Sequence, residues 1–178
     1  MKTRNKTQLL NVVYTAMFVA IMIVCAQIQI PFGQVPFTLQ TLGVFIAAAM
    51  LGWERSTIAV FVYALAGFIG LPVFAGFTGG AGIVFGPTGG YIVGFLFTSV
   101  IIGLITEKFG KKIWTLAVSM IAGMAACYLF GTVWFVFVMK TDILSAILMC
   151  VVPYLIADGL KIALASVLVN RLDKVIKL

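Results

Sequence analysis

Apolar runs broken by short clusters of charge, proline and glycine divide the chain into six segments, near residues 11–30, 36–51, 56–71, 89–106, 113–138 and 143–169. A membrane-spanning helix needs about 20 apolar residues, and the pattern predicts an all-α integral membrane protein, a compact bundle of six transmembrane helices. The second segment is the weak point. Its part free of charge and proline, Leu39–Leu51, reaches only about 20 Å as a helix, short of a hydrocarbon core of about 30 Å unless Val35 to Leu39 extend it. The alternative is half of a re-entrant hairpin. Six spans are preferred because they place Glu54 and Arg55 in water.

Composition sharpens the exclusion. Of 178 residues, 63% are hydrophobic and 10% charged, against about 45–50% and about 25% in soluble domains. Folding hides only about 70% of the surface of a chain this size, so a water-soluble globule would expose far too much apolar surface. The bundle accounts for residues 1–178 as a single membrane domain. Any ATP-hydrolysing or soluble receptor module is then a separate chain.

The net charge of +7 would suit nucleic acid only if the cations formed a stripe. They fall in loops instead. With six spans, Lys2, Arg4, Lys6, Arg55, Lys108, Lys111, Lys112, Arg171, Lys174 and Lys177 share one side and Lys140 alone takes the other. Ten against one places both termini of a multi-pass membrane protein in the cytoplasm and excludes a nucleic-acid partner. The basic start resembles a signal peptide, yet its apolar run continues to Ile30, so retention is expected. There is no His, and Cys25, Cys127 and Cys150 lie far apart in apolar runs, so neither a metal, a cofactor nor a disulfide framework is expected.

The stretch Gly70 to Gly90 contains Pro72, Pro87, eight glycines, Phe74, Phe77 and Phe85, and no charge. It cannot be a regular helix, and without charge it is a poor solvated loop. It reads as an extracellular Gly-rich lid between helices 3 and 4, folded back over the bundle.

Two ionisable residues fall well inside a span, Asp158 and Lys161. Each costs roughly 2.5–3.5 kcal/mol at a helix centre, which makes such a residue a functional-site candidate. Three apart, they share one helix face, about 22 Å and about 27 Å along the last helix counted from Ile143. Pro153 should kink that helix just before them. The pair either locks the bundle by mutual neutralisation or offers a carboxylate acceptor and an ammonium donor to a ligand; its depth favours the ligand. Gln27, Gln29, Gln34, Thr38, Gln40 and Thr41 add polarity near Pro31 and Pro36. Gln40 is the best candidate among them, able to donate and accept. Ala16 and Ala20 form a small-residue pair that admits close approach of another helix.

Four motifs in series, VPFTLQTLGVFIAAAMLG from Val35 to Gly52, GLPVFAG from Gly70 to Gly76, GPTGGY from Gly86 to Tyr91 and VPYLIADGLKIALA from Val152 to Ala165, run over essentially the whole chain. Together they resemble the BioY family, the biotin-specific substrate-binding (S) components of energy-coupling factor (ECF) transporters. The resemblance implies high-affinity capture of extracellular biotin. ATP-driven uptake would go through a transmembrane T component and two ATPase subunits, with Ala16 and Ala20 docking the T component and the S component tipping in the bilayer. It implies that Asp158 accepts from the ureido group and Lys161 pairs with the carboxylate, or that Lys161 instead holds Asp158 in place. Phe74 and Tyr91 would pack on the ring, with Gly76 and Gly90 letting the lid backbone close. The chain departs from the family pattern at Gly76-Phe77-Thr78-Gly79 and has no Arg in the outer half. The rival readings are an S component for riboflavin or thiamine, or a stand-alone carrier; an enzyme lacks its nucleophile, metal or acid–base pair.

Overall fold

The computed structural model describes residues 2–31 and 35–175; for residues 2–7 this extends to the backbone only. Gln34, Lys177 and the side chains of Lys2, Arg4 and Lys6 lie outside the described residues. The elements in order are α1 (Lys2–Gln27), β1 (Gln29–Ile30), β2 (Phe37–Thr38), α2 (Gln40–Leu51), α3 (Trp53–Phe68), a 3-10 turn (Ala75–Phe77), α4 (Ala81–Val84), α5 (Gly89–Phe109), α6 (Ile113–Met139), α7 (Ile143–Cys150), a second 3-10 turn (Val152–Tyr154) and α8 (Leu155–Val175). Among the described residues, four stretches are long and apolar enough to cross a membrane: Gln8–Gln27, Gly89–Phe109, Ile113–Met139 and Ile143–Val175.

The helix expected over 36–51 begins only at Gln40. Phe37 and Thr38 instead pair antiparallel with Ile30 and Gln29, and the Leu39 amide bonds the Ile28 carbonyl at 3.1 Å. The first helix correspondingly stops at Gln27 rather than near 30. At 12 residues, α2 is about 18 Å long. It needs no lipid-spanning length because protein surrounds it: α1, α3, α5 and α8 all pack on it, and Ala47, Ala48 and Ala49 are fully buried. Short helices are tolerated at membrane depth where neighbouring helices cover them.

The α2–α3 turn is a single residue, Gly52, with φ +79°. The Glu107 carboxylate of α5 accepts the Trp53 amide at 3.0 Å, satisfying a donor that the start of α3 leaves free. This moves the third helix to Trp53–Phe68 from the expected 56–71. Gly103 lets α5 touch this turn, because a Cβ there would stand 2.3 Å from the Trp53 Cα. Gly103→Ala is therefore expected to cost about 1–3 kcal/mol by overpacking against backbone. Gly159→Ala, inside α8 and with nothing within 4 Å of its Cβ, should instead raise stability, by up to about 1 kcal/mol. Thermal midpoints in detergent compare the two.

The last span is not one kinked helix over 143–169. Pro153, with no amide hydrogen, ends the helical ladder, and α7 and α8 meet across the 3-10 turn, with α8 running on to Val175. Asp158 consequently lies in the first turn of a new helix, where the helix dipole favours a carboxylate.

Cationic side chains gather at one end of the bundle. Lys111 pairs with Asp173 at 2.9 Å and reaches the Met50 carbonyl at 3.4 Å, and the Arg55 guanidinium donates to Asn11 at 2.9 Å. At the other end Asp142 caps α7, its carboxylate accepting the Ser145 amide at 2.8 Å. Those amide bonds hold the Asp142 carboxyl below the usual carboxylate range. The outward faces between the ends carry large apolar side chains such as Phe137 and Ile156.

Candidate functional site

A cavity of about 400 Å³ opens at the end of the bundle away from the cationic cluster, within the roughly 300–1,000 Å³ of small-molecule sites. Its walls come from several elements, with Cys150 of α7 and Tyr154 of the second 3-10 turn among them. Helices α5 and α6 supply Tyr91, Phe95 and Tyr128, and α8 supplies Asp158 and Lys161. Thr38, Gln40 and Thr41 line it from β2 and α2, and Phe74, Ala75 and Thr78 from the segment between α3 and α4.

Asp158 and Lys161 are 5% and 6% exposed, and the Lys161 ammonium donates to the Asp158 Oδ1 at 2.7 Å. The other carboxylate oxygen accepts the Tyr128 hydroxyl. Lys161 also donates to the Thr41 Oγ1 at 3.1 Å and sits 4.1 Å from the Phe37 ring centroid, close enough for cation–π attraction. Both charges are thus desolvated but satisfied, as a buried pair must be to persist. A carboxylate offers about four lone-pair sites. Lys161 and Tyr128 use one each, which leaves Asp158 able to accept two N–H donors from a guest.

Gln40 faces the cavity and also holds its surroundings. Its Oε1 accepts the Thr38 hydroxyl at 2.9 Å, and its Nε2 donates to the Tyr63 hydroxyl. Tyr63 in turn donates to the Val73 carbonyl at 3.2 Å. Phe74 is seated edge-to-face on Tyr63, ring centroids 5.6 Å apart, in the space left by Gly67, whose Cβ would fall 2.0 Å from that ring. Tyr91 lies over Gly131 in the same way, its hydroxyl 3.5 Å from Thr132.

The fold therefore brings Asp158, Lys161, Tyr91, Phe74 and Gln40 to one cavity. Gly76 and Gly90 are not on its wall. Gly76, with φ +68°, turns the chain over the Gln29 amide, and Gly90 lets α5 approach Trp134 of α6. Ala16 and Ala20 are exposed on the outer face of α1, whose inner face buries Phe18, Met22 and Ala26. Sequence reasoning missed Tyr128. Its signal was a phenol in an otherwise apolar run, since a buried hydroxyl needs a partner and Asp158 was the available acceptor. It also missed Tyr154, which donates to the Val35 carbonyl and stacks on Phe37 at 6.4 Å. Among the described residues no cluster of His, Cys, Asp and Glu could hold a metal ion.

The chain is 42% identical to the biotin transporter BioY of Thermotoga maritima, covering 92% of this chain and 96% of that one. It is 33% identical to the biotin transporter BioY2 of Lactococcus lactis, over 92% and 90%. It also superposes on a crystal structure of the S-component for biotin from an ECF-type ABC transporter with a TM-score of 0.90 at 30% identity, covering 96% and 94%. These relatives are transporters and a transporter subunit rather than enzymes, and like them this chain is a multi-pass membrane protein. The BioY family model matches residues 1–178, so the chain belongs to the BioY family.

Proposed function

We propose that the chain is the biotin-binding S component of an ECF-type importer. One observation carries the reading: a buried carboxylate–ammonium pair forms part of the wall of a cavity large enough for a small molecule. Biotin offers the complementary chemistry. Its ureido N–H groups suit the free lone pairs of Asp158, its fused ring suits Phe74 and Tyr91, and its valerate carboxylate suits Lys161. The names of the relatives support biotin over another vitamin.

In this reading the bundle crosses the membrane six times, α2 and α3 counted as crossings and α7 with α8 as one. Both termini and the cationic end face the cytoplasm. The 70–88 segment is the outer lid over the cavity. Ala16 and Ala20 present a flat strip on α1 to a T component, and two ATPase subunits drive release of biotin inward.

The test is equilibrium binding of labelled biotin to detergent-purified protein, with riboflavin and thiamine as competitors. Saturable binding that only biotin displaces supports the reading; displacement by either other vitamin transfers it to that ligand. Tyr128→Phe leaves Asp158 less firmly oriented by one hydrogen bond, a contribution of about 1 kcal/mol. The dissociation constant for biotin should rise about fivefold to tenfold in the same assay.

A further inference from the structure

We propose that Gln27, at the last turn of α1, is the positioning residue that latches the cavity-lining 73–78 segment and sets how fast a ligand leaves. Both ends of its amide grip that segment. The Oε1 accepts the Phe77 amide at 2.8 Å, and the Nε2 donates to the Phe74 carbonyl at 3.2 Å. The Val73 carbonyl lies 3.5 Å from the same nitrogen, and the Ile23 carbonyl, at 3.2 Å, ties the amide back to its own helix.

The gripped segment depends on outside support. Phe77 has φ +56°, a left-handed conformation that costs a non-glycine residue stability and persists only where the surroundings impose it. Its own side chain supplies little, being 72% exposed. The turn closes on itself through the Phe74 amide and the Thr78 carbonyl at 3.0 Å, and Phe74, Ala75 and Thr78 from that turn face the cavity. The other two side-chain anchors act on the first residues of the segment and beyond its end: Tyr63 holds the Val73 carbonyl and packs edge-to-face on Phe74, and Trp134 holds the Gly86 carbonyl, 2.9 Å away. Gln27 alone among these three bonds the amide of the strained residue. Loss of its grip frees the turn to swing outward, which opens the exit without altering the groups that bind the guest.

The inference rests on the biotin reading for its kinetic half, while amide exchange probes the latch without any ligand. Gln27→Leu should release preloaded labelled biotin about tenfold faster than wild type, with association changed by less than about twofold, as expected for loss of two hydrogen bonds that act after capture. In biotin-free protein the Phe77 amide should exchange hydrogen about tenfold faster, with α6 amides unchanged. Gln27→Glu keeps the acceptor for that amide, so Phe77 should stay protected; this variant serves if the leucine variant fails to fold. An unchanged dissociation rate in Gln27→Leu overturns the proposal, as does unchanged Phe77 exchange. Wild-type protein that binds no biotin overturns the functional reading instead, and Phe77 exchange then decides the latch by itself.

Discussion

Asp158→Asn is expected to weaken biotin binding by about 100-fold or more. The substitution preserves shape but removes the charge that makes the hydrogen bonds from ureido N–H groups charge-assisted, about twice the strength of neutral ones. It also leaves the Lys161 ammonium, 6% exposed, without its counter-ion 2.7 Å away. Breaking one partner of a buried, hydrogen-bonded charge pair costs about 2–5 kcal/mol, and each factor of ten in affinity is about 1.4 kcal/mol. Equilibrium binding to purified protein reads the effect. Affinity within about threefold of wild type would remove Asp158 from the site.

The second large effect separates a ligand site from a structural lock. In Asp158→Asn combined with Lys161→Met, the buried pair becomes a neutral amide and an apolar chain of similar length. Replacing a buried ion pair as a unit is often neutral or stabilising, whereas removing one partner costs about 3–5 kcal/mol. The double variant should therefore melt near the wild-type temperature in detergent, Lys161→Met alone should melt well below it, and neither should bind biotin measurably. A lock would show the reverse pattern: the double variant would lose stability and any protein that still folded would keep its affinity.

These effects depend on residues whose legibility in the sequence differed for physical reasons. The membrane environment, the cationic end and the candidacy of Asp158 and Lys161 follow from cost alone, because charge in hydrocarbon needs a cause wherever it occurs. Pro153 was legible as a disruption, but its consequence was not. Whether a proline kinks a helix or ends it depends on what the neighbouring turns can satisfy, and here the break puts Asp158 at a helix start. The start of α2 was misjudged because Val35–Leu39 is apolar and short apolar runs do not distinguish strand from helix; Phe37 and Thr38 take the strand. Gly76 and Gly90 read as the residues that let the lid backbone close over the ring, because glycine permits close approach, but sequence does not say to what. They approach Gln29 and Trp134. Tyr128 and Gln27 act through partners 30 and 50 residues away in the chain, contacts that no local pattern encodes.

The most direct measurement is an experimental structure of the chain with biotin bound. The account predicts the ureido nitrogens about 3 Å from the Asp158 carboxylate, the fused ring between Phe74 and Tyr91, and the 73–78 segment closed over both. Biotin bound elsewhere, or bound in this cavity with Asp158 contacting only Lys161 and Tyr128, would contradict it.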